Sequence, residues 1–298
     1  MGITPENLDL YKTKIIAIAK YFDQFCTDNN LSYFAIGGTA IGALRHNGII
    51  PWDDDIDFVM PRPDYEKFMF LSKELDKNYK VFTHQNSELY HLPFAKMCDI
   101  TTTLLPSSKH RCVLGAFIDI FPIDGLPSTD MLGRIKYFNS AIKIRNIAIG
   151  INTYYSFKDF ISAIYRLDFK NLKAQIYSKF YHLFKLKNNY FIKFENYLKQ
   201  NSYDESEYVA YFGTFRGDKV ISPKMYFESY FYHKFEDFKI RLPIGIKEYL
   251  TNVYGDYMTP PPLEKRILLH SYFYLNLNKR ITIEEIFSII KSNHNTMN

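Results

Sequence analysis

Apolar residues return at helical spacing near the start of the chain. Tyr11, Ile15, Ile18, Ala19, Phe22, Phe25 and Cys26 share one face with charged residues between them, and Thr4-Pro5 offers a cap and first turn. The spacing predicts an amphipathic helix from about Leu8 to Asn30. A short apolar run from Ser32 to Ile36 leads into Gly37-Gly38-Thr39, a short helical stretch through Leu44 and a break at Gly48. A second apolar run, Ile56 to Met60, is closed by Pro61 and Pro63, which end one element and restrict where the next begins. The predicted order is helix, strand, glycine turn, helix, strand.

Further strands are predicted at Lys80–Thr83, around Leu92–Met97, at Thr102–Leu105 and at Ala116–Phe121, with Asp124 assigned to the turn after Pro122. The texture changes after Pro127. Ile135, Phe138, Ile142 and Ile149 open a stretch to about Tyr203 that lacks proline and strand-like alternation and carries Lys, Tyr and Phe at helical intervals. It reads as a helical subdomain inserted after the sheet. Strand-like text returns near Phe235–Leu242, and Thr282 and Glu285 are spaced as a capping box for a final helix from about Ile283.

Composition narrows the class. With 298 residues, 47% hydrophobic and 23% charged, the chain has the ordinary make-up of a folded protein. No uncharged segment approaches the ~20 apolar residues that span a bilayer, and Met1 to Glu6 lacks the basic stretch and apolar run of a signal peptide. Cys26, Cys98 and Cys112 stand far apart with no CxxC pair, which argues against a disulfide framework or a cysteine zinc site and for a reducing, cytoplasmic setting. The net charge of +5 is uneven: between Asp130 and Gln200 there are thirteen Lys or Arg and only four Asp or Glu. Such a stretch is either a set of solvated helix faces or an electropositive surface for nucleic acid, a phosphorylated acceptor or an acidic membrane.

The segment that carries chemistry is 36–58, IGGTAIGALRHNGIIPWDDDIDF. A strand that turns through Gly37, Gly38 and Thr39 into a helix leaves approachable backbone N–H groups at an anion-favouring helix N-terminus, the elements of a phosphate cradle. Asp55 and Asp57 stand two apart on a predicted strand, so both carboxylates project from one face. Asp53 shares that parity but precedes the regular strand, and Asp54 points away. Four carboxylates in five positions, beside Ile56, Phe58 and Val59, repel one another and lose hydration unless a cation joins them. Oxygen donors favour Mg2+ or Mn2+. Asp119, inside the apolar run AFIDIFP, supplies a third carboxylate from another strand.

The runs GGTAIGALRHNGIIPWDDDIDFVMPR, FIDIFPIDGLP and YGDYMTPPPLEKR resemble, in that order, the motifs of the LicD family, which includes the fukutin-related proteins and belongs to the nucleotidyltransferase-fold superfamily. The resemblance reaches from Gly37 to Arg266, apart from about Leu132 to Tyr232, where no motif is recognised. It implies an α+β fold, a nucleotidyltransferase-like mixed sheet flanked by helices with an inserted helical subdomain. The implied division is a catalytic core at 1–131, a basic helical insertion on the acceptor side at 132–232, and a return to the core at 233–298 with a phosphate-contacting loop and a final helix.

The resemblance also implies an activity: metal-dependent transfer of a phosphorylated head group from a cytidine nucleotide such as CDP-choline to a glycan hydroxyl, releasing CMP. Phosphocholine, 2-aminoethylphosphonate and a polyol phosphate are the candidate groups, and capsular polysaccharide, lipopolysaccharide and teichoic acid the candidate products. In that scheme Asp55, Asp57 and Asp119 hold two Mg2+ or Mn2+ ions, and Asp119 also accepts the proton of the attacking hydroxyl. Gly37, Gly38, Thr39, Arg45, Lys96, Lys265 and Arg266 would contact substrate phosphates. Each has a plainer reading beside it. Arg45 could brace the carboxylates as a salt bridge, and Lys96, set in an apolar strand, needs only solvent or some anionic partner. Lys265 and Arg266 could belong to a clamped C-terminal loop. Trp52, the only tryptophan, could pack in the core or frame the nucleotide, with packing the plainer reading, and His270 reads as packing.

Two rival functions stay open. A nucleotidyltransferase would attach the nucleotide itself and release pyrophosphate with the same carboxylates. A basic module binding nucleic acid through residues 130–200 is the most distant reading, because it leaves the acidic cluster unexplained, so no nucleic-acid partner is expected. Within the insertion, Lys179, Lys185 and Lys187 are interleaved with Leu183, Phe184, Leu186 and Phe191, the mixed character of a surface that meets a lipid-linked glycan acceptor or makes peripheral membrane contact.

Overall fold

The computed structural model describes residues 4–153, 155, 157–183, 189–268 and 270–295, so Lys185 and Lys187 lie outside the described residues. Helix α1 (Pro5–Asp28) is the predicted first helix, with Pro5 at the first position, where its missing N–H leaves no helical bond unmade. Its apolar stripe of Tyr11, Ile15, Ile18, Ala19, Phe22 and Cys26 is buried. Phe22 anchors it to the sheet, with Tyr33, Phe58 and Phe68 around it at ring-centre distances of 5.0, 5.1 and 5.2 Å.

The main sheet is mixed. Strand β1 (Phe34–Ala35) runs antiparallel to β2 (Asp57–Pro61), and β2 runs parallel to β5 (Leu114–Gly125). The other edge of β5 carries β4 (Ala95–Leu105), and β4 in turn carries β3 (Tyr79–Phe82) and β10 (Tyr274–Asn276), all antiparallel. Beyond β4, the end of β5 pairs with β6 (Tyr208–Tyr211), which pairs with β7 (Ser222–Pro223). Among the described residues the only parallel pair, β2 and β5, is joined by a long crossover that begins with α3 (Arg62–Leu71).

The strands predicted at Leu92–Met97 and Thr102–Leu105 are one strand, β4, bulged between Asp99 and Leu104. Thr102 Oγ1 bridges the irregularity, donating to the Asp99 carbonyl at 2.7 Å and accepting from the Ala116 N–H at 2.8 Å. Gly115 permits that approach, since a Cβ there would lie 1.9 Å from the Asp99 oxygen. β5 also runs further than expected, which corrects the assignment of Asp124. It is not in a turn but buried on the strand, where Arg62 Nε and Nη2 donate to its two oxygens at 2.6 and 2.8 Å. Arg62 Nη1 donates to Glu195 Oε2 at 3.1 Å, so a single guanidinium joins α3, β5 and α7 (Asn189–Leu198).

The helical region comprises α4 (Met131–Asn152), α5 (Phe157–Tyr165), α6 (Phe169–Leu183) and α7. Asp130 caps α4 by accepting the Gly133 N–H at 2.7 Å. Buried Arg145 on α4 donates to the carbonyls of Phe212 and Thr214 at 2.6 and 2.9 Å. The stretch 132–232 therefore holds these helices and then two strands that rejoin the main sheet. The predicted strand near Phe235–Leu242 is a separate hairpin of β8 (Tyr230–Phe235) and β9 (Phe238–Pro243). After it come α8 (Ile246–Tyr254), which the periodicity reading missed, and α9 (Ile283–Asn295). The capping box of α9 forms as predicted: the Glu285 N–H donates to Thr282 Oγ1 at 3.3 Å and the Thr282 N–H to Glu285 Oε2 at 2.6 Å.

The Arg62 network makes a direct stability test. Asp124→Ala leaves a buried arginine with one of its two acids, and the expected loss is about 3–5 kcal/mol, read as a lowered urea midpoint at unchanged slope. A change below about 1 kcal/mol would show that the network is dispensable.

Candidate active site

Helix α2 (Gly37–His46) starts directly after β1, and β2 starts where the acidic run ends. Along that run the side chains alternate. Asp53, Asp55 and Asp57 are half-exposed on one face, and Asp54, Ile56 and Phe58 are buried on the other. The parallel register sets Asp57 level with Asp119, and the antiparallel register sets Asp119 level with Lys96. A row of carboxylate, carboxylate and ammonium thus crosses three strands.

The glycine turn lies against this row. A Cβ on Gly38 would sit 2.7 Å from Asp53 Oδ2. Gly37 has φ +58°, open to glycine at little cost, and a Cβ there would sit 3.6 Å from Asp57 Oδ2 and 3.4 Å from the Tyr254 hydroxyl. Thr39 is buried, and its Oγ1 accepts the Asp57 N–H at 2.8 Å, so this hydroxyl fixes the start of β2 relative to the turn. Lys96, offered by sequence to a substrate phosphate, has Asp119 as its anionic partner and lies 3.5 Å from the centre of the Phe117 ring.

Crowding sets the electrostatics. Burial, then the repulsion of Asp119 and Asp53, pushes the Asp57 carboxyl up to about 8. Burial and the charges of Asp57, Asp53 and Asp119 push Asp55 well above the usual carboxylate range. Burial also raises Asp53 and Asp119, opposed at Asp119 by Lys96. Among the described residues no three His, Cys, Asp or Glu side chains already converge as a metal centre. The donor set nonetheless suits a hard divalent cation. Asp53, Asp55, Asp57 and Asp119 present only carboxylate oxygens on one face and are driven toward protonation by burial and, at Asp55 and Asp57, by their neighbours' charge, a condition that a cation relieves.

Beside the carboxylates stands a cationic group. Arg45 Nη1 donates to the Tyr257 carbonyl at 2.6 Å and Nε to His46 Nε2 at 2.9 Å, so it braces no carboxylate and the salt-bridge alternative does not hold. Its guanidinium lies 6.0 Å from the Trp52 ring centre, and that of Arg266 lies 4.9 Å from it. Arg266 Nε donates to the Pro261 carbonyl at 2.8 Å, and neither arginine meets an acid among the described residues. Lys265 is exposed on the adjoining turn, its ammonium in none of the described bonds.

Three residues escaped the sequence reading. Tyr254 stands in the last motif, yet its hydroxyl faces Gly37 and Arg216 lies 4.4 Å over its ring. Arg216 itself sits in no motif and no pattern marks it. Asp54 is fully buried, with Oδ1 2.8 Å from His270 Nδ1 and Oδ2 unpartnered, so His270 is more than packing. It ties the segment after Arg266 to the acidic run, and the only sequence signal was a buried-parity acid that needed a partner.

A glycine turn packed against a two-apart pair of aspartates, with a third carboxylate level on the next strand of a mixed sheet, is the plan of a nucleotidyltransferase domain. Residues 30–179 match the family described as LicD/FKTN/FKRP, nucleotidyltransferase domain. The chain is 31% identical over 257 residues to the lipopolysaccharide cholinephosphotransferase LicD of Haemophilus influenzae, covering 83% of this chain and 89% of that protein. An uncharacterized protein of Rickettsia typhi is 46% identical over 115 residues, 38% of this chain and 35% of its own length. The chain belongs to the LicD family.

The Asp54–His270 pair is testable apart from catalysis. A double-mutant cycle of His270→Ala and Asp54→Asn should give a coupling of about 1–2 kcal/mol, modest because the imidazole is 44% exposed. The bond to Asp54 raises His270 above its ordinary 6.5, so the coupling is complete below that pH and fades as pH rises through the raised value. Urea titrations at about pH 5.5 and about pH 9 measure it, and equal coupling at both would refute the pairing.

Proposed function

We propose that this protein transfers a phosphorylated head group, of phosphocholine type, from a CDP-linked donor to a hydroxyl of a lipopolysaccharide glycan and releases CMP. The observation that carries the proposal is the row of Asp57, Asp119 and Lys96 facing a glycine turn, in a chain similar over most of its length to a lipopolysaccharide cholinephosphotransferase. The reaction forms a bond from the acceptor oxygen to phosphorus and breaks the bond from that phosphorus to the CMP oxygen.

Each group of the site has work in that step. Mg2+ or Mn2+, bound as one or two ions by Asp55, Asp57 and Asp119, would offset the charge of the diphosphate and of the departing CMP. The free N–H groups at the start of α2 receive the diphosphate where Gly37 and Gly38 leave room. Arg45 and Arg266 offer forked donors to phosphate oxygens, and Trp52 between them offers a flat face for the base. Two guanidiniums there repel a quaternary ammonium, so the choline end lies away from Trp52. Asp119, oriented by Lys96, takes the proton of the attacking hydroxyl. A reducing, cytoplasmic setting belongs to the same proposal, in keeping with three free, buried cysteines.

Purified protein with CDP-choline and a lipopolysaccharide lacking phosphocholine should release CMP in Mg2+ and stop in EDTA. Pyrophosphate release from CTP, with CMP carried to the acceptor, would establish nucleotidyl transfer instead. Asp119→Asn should lower kcat by about 10²–10⁴ with a much smaller change in donor KM, and a loss confined to KM would remove the proton-acceptor role.

Stability offers a second readout. A carboxyl raised to about 8 in the fold binds its proton more tightly there than in the unfolded chain, so the metal-free protein should lose stability as pH rises from about 4 to about 8. Mg2+ should flatten that decline, and Asp57→Asn should raise the metal-free melting temperature at about pH 8 while abolishing turnover. A melting temperature that falls in Asp57→Asn would mean that the carboxylate is structural.

A further inference from the structure

Among the described side chains of the α5–α6 hairpin, large apolar groups face outward while polar ones are buried. On α6, Gln175 and Ser178 are buried, and Ser178 Oγ donates toward the carbonyls of Ile151 and Thr153 at 3.0 and 2.9 Å. Phe169, Ile176 and Phe180 return at helical spacing on the opposite side and are 72%, 54% and 51% exposed. On α5, Ala163 is buried while Ile164 and Tyr165 face solvent. The connection presents Leu167, 71% exposed at φ +51°, a left-handed backbone that a leucine adopts only at a cost. A fold that aims its polar side chains inward and its large apolar ones outward is matched to something other than water.

Charge identifies the partner. Residues 157–183 contain five Lys or Arg and two Asp, and Arg166, Lys173 and Lys179 are exposed among the apolar side chains. A second copy docked through this face would set cation against cation, whereas an anionic lipid surface complements both the charges and the apolar groups. No helix among the described residues is long and apolar enough to cross a membrane, so the contact is interfacial. We propose that the α5–α6 hairpin is a membrane-docking element, with Tyr165, Leu167 and Phe169 entering the headgroup layer of an anionic bilayer and the neighbouring cations meeting lipid phosphates.

The test uses the full-length protein and vesicles of phosphatidylcholine alone or mixed equally with phosphatidylglycerol, at low salt. The wild type should sediment with the mixed vesicles and not with phosphatidylcholine. Leu167→Asn combined with Phe169→Glu, which keeps a residue tolerant of the left-handed backbone at 167, should lower the partition coefficient by roughly tenfold or more at unchanged melting temperature. Arg166→Glu with Lys173→Glu should weaken binding to the mixed vesicles and should leave CMP release with a soluble acceptor unaffected. Equal sedimentation of wild type and variants would overturn the proposal. So would a concentration-dependent dimer, seen by light scattering, that the Leu167 and Phe169 substitutions abolish.

Discussion

Negative charge held on one side of a sheet is the constraint that the surrounding structure accommodates. Asp53, Asp55, Asp57 and Asp119 share a face, and Lys96 is the one ammonium paired within the row. Water stabilises such a cluster poorly once α2 and the segment around His270 close over it. The chain keeps the cluster through geometry: a glycine turn with no Cβ to collide, a threonine hydroxyl on the Asp57 amide, and a lysine fixed by strand register. Under the proposed function this is stability set aside for chemistry, as buried functional charges commonly require.

The contrast with the other buried charges is instructive. Arg62, Asp124 and Glu195 are all buried, and bonds of 2.6 to 3.1 Å join them to one another. That network holds the helical region on the sheet. Arg45 and Arg266 carry the same functional group, yet they meet only backbone carbonyls, a histidine and an indole. Satisfied charges mark the scaffold, and charges that meet no opposite partner cluster beside the glycine turn and the acidic run.

Much of this was legible from sequence because period-2 parity and glycine chemistry are local. The side-by-side placing of Asp55 and Asp57, the turn at Gly37 and the caps of α1 and α9 needed no tertiary information. What failed depended on partners far along the chain. Asp124 looked like a turn residue because Pro122 precedes it, and only strand pairing and Arg62 reveal its place. β4 looked like two strands because its bulge breaks alternation. Lys96 was read as needing solvent or an anion, with a substrate phosphate as the candidate, and the anion it meets, Asp119, lies 23 residues away in sequence and is chosen by register. His270 and Arg216 carry no periodic signal, so nothing in their neighbourhoods announced them.

Trp52 is the sole tryptophan, seated beside two guanidiniums next to the acidic run. The native protein's indole emission therefore arises from one place. A nucleotide base stacking there, or a phosphate drawing either arginine away, alters the quantum yield of that single fluorophore. Under the proposed function, donor occupancy would thus be followed optically in the unlabelled wild type, before any bond is made.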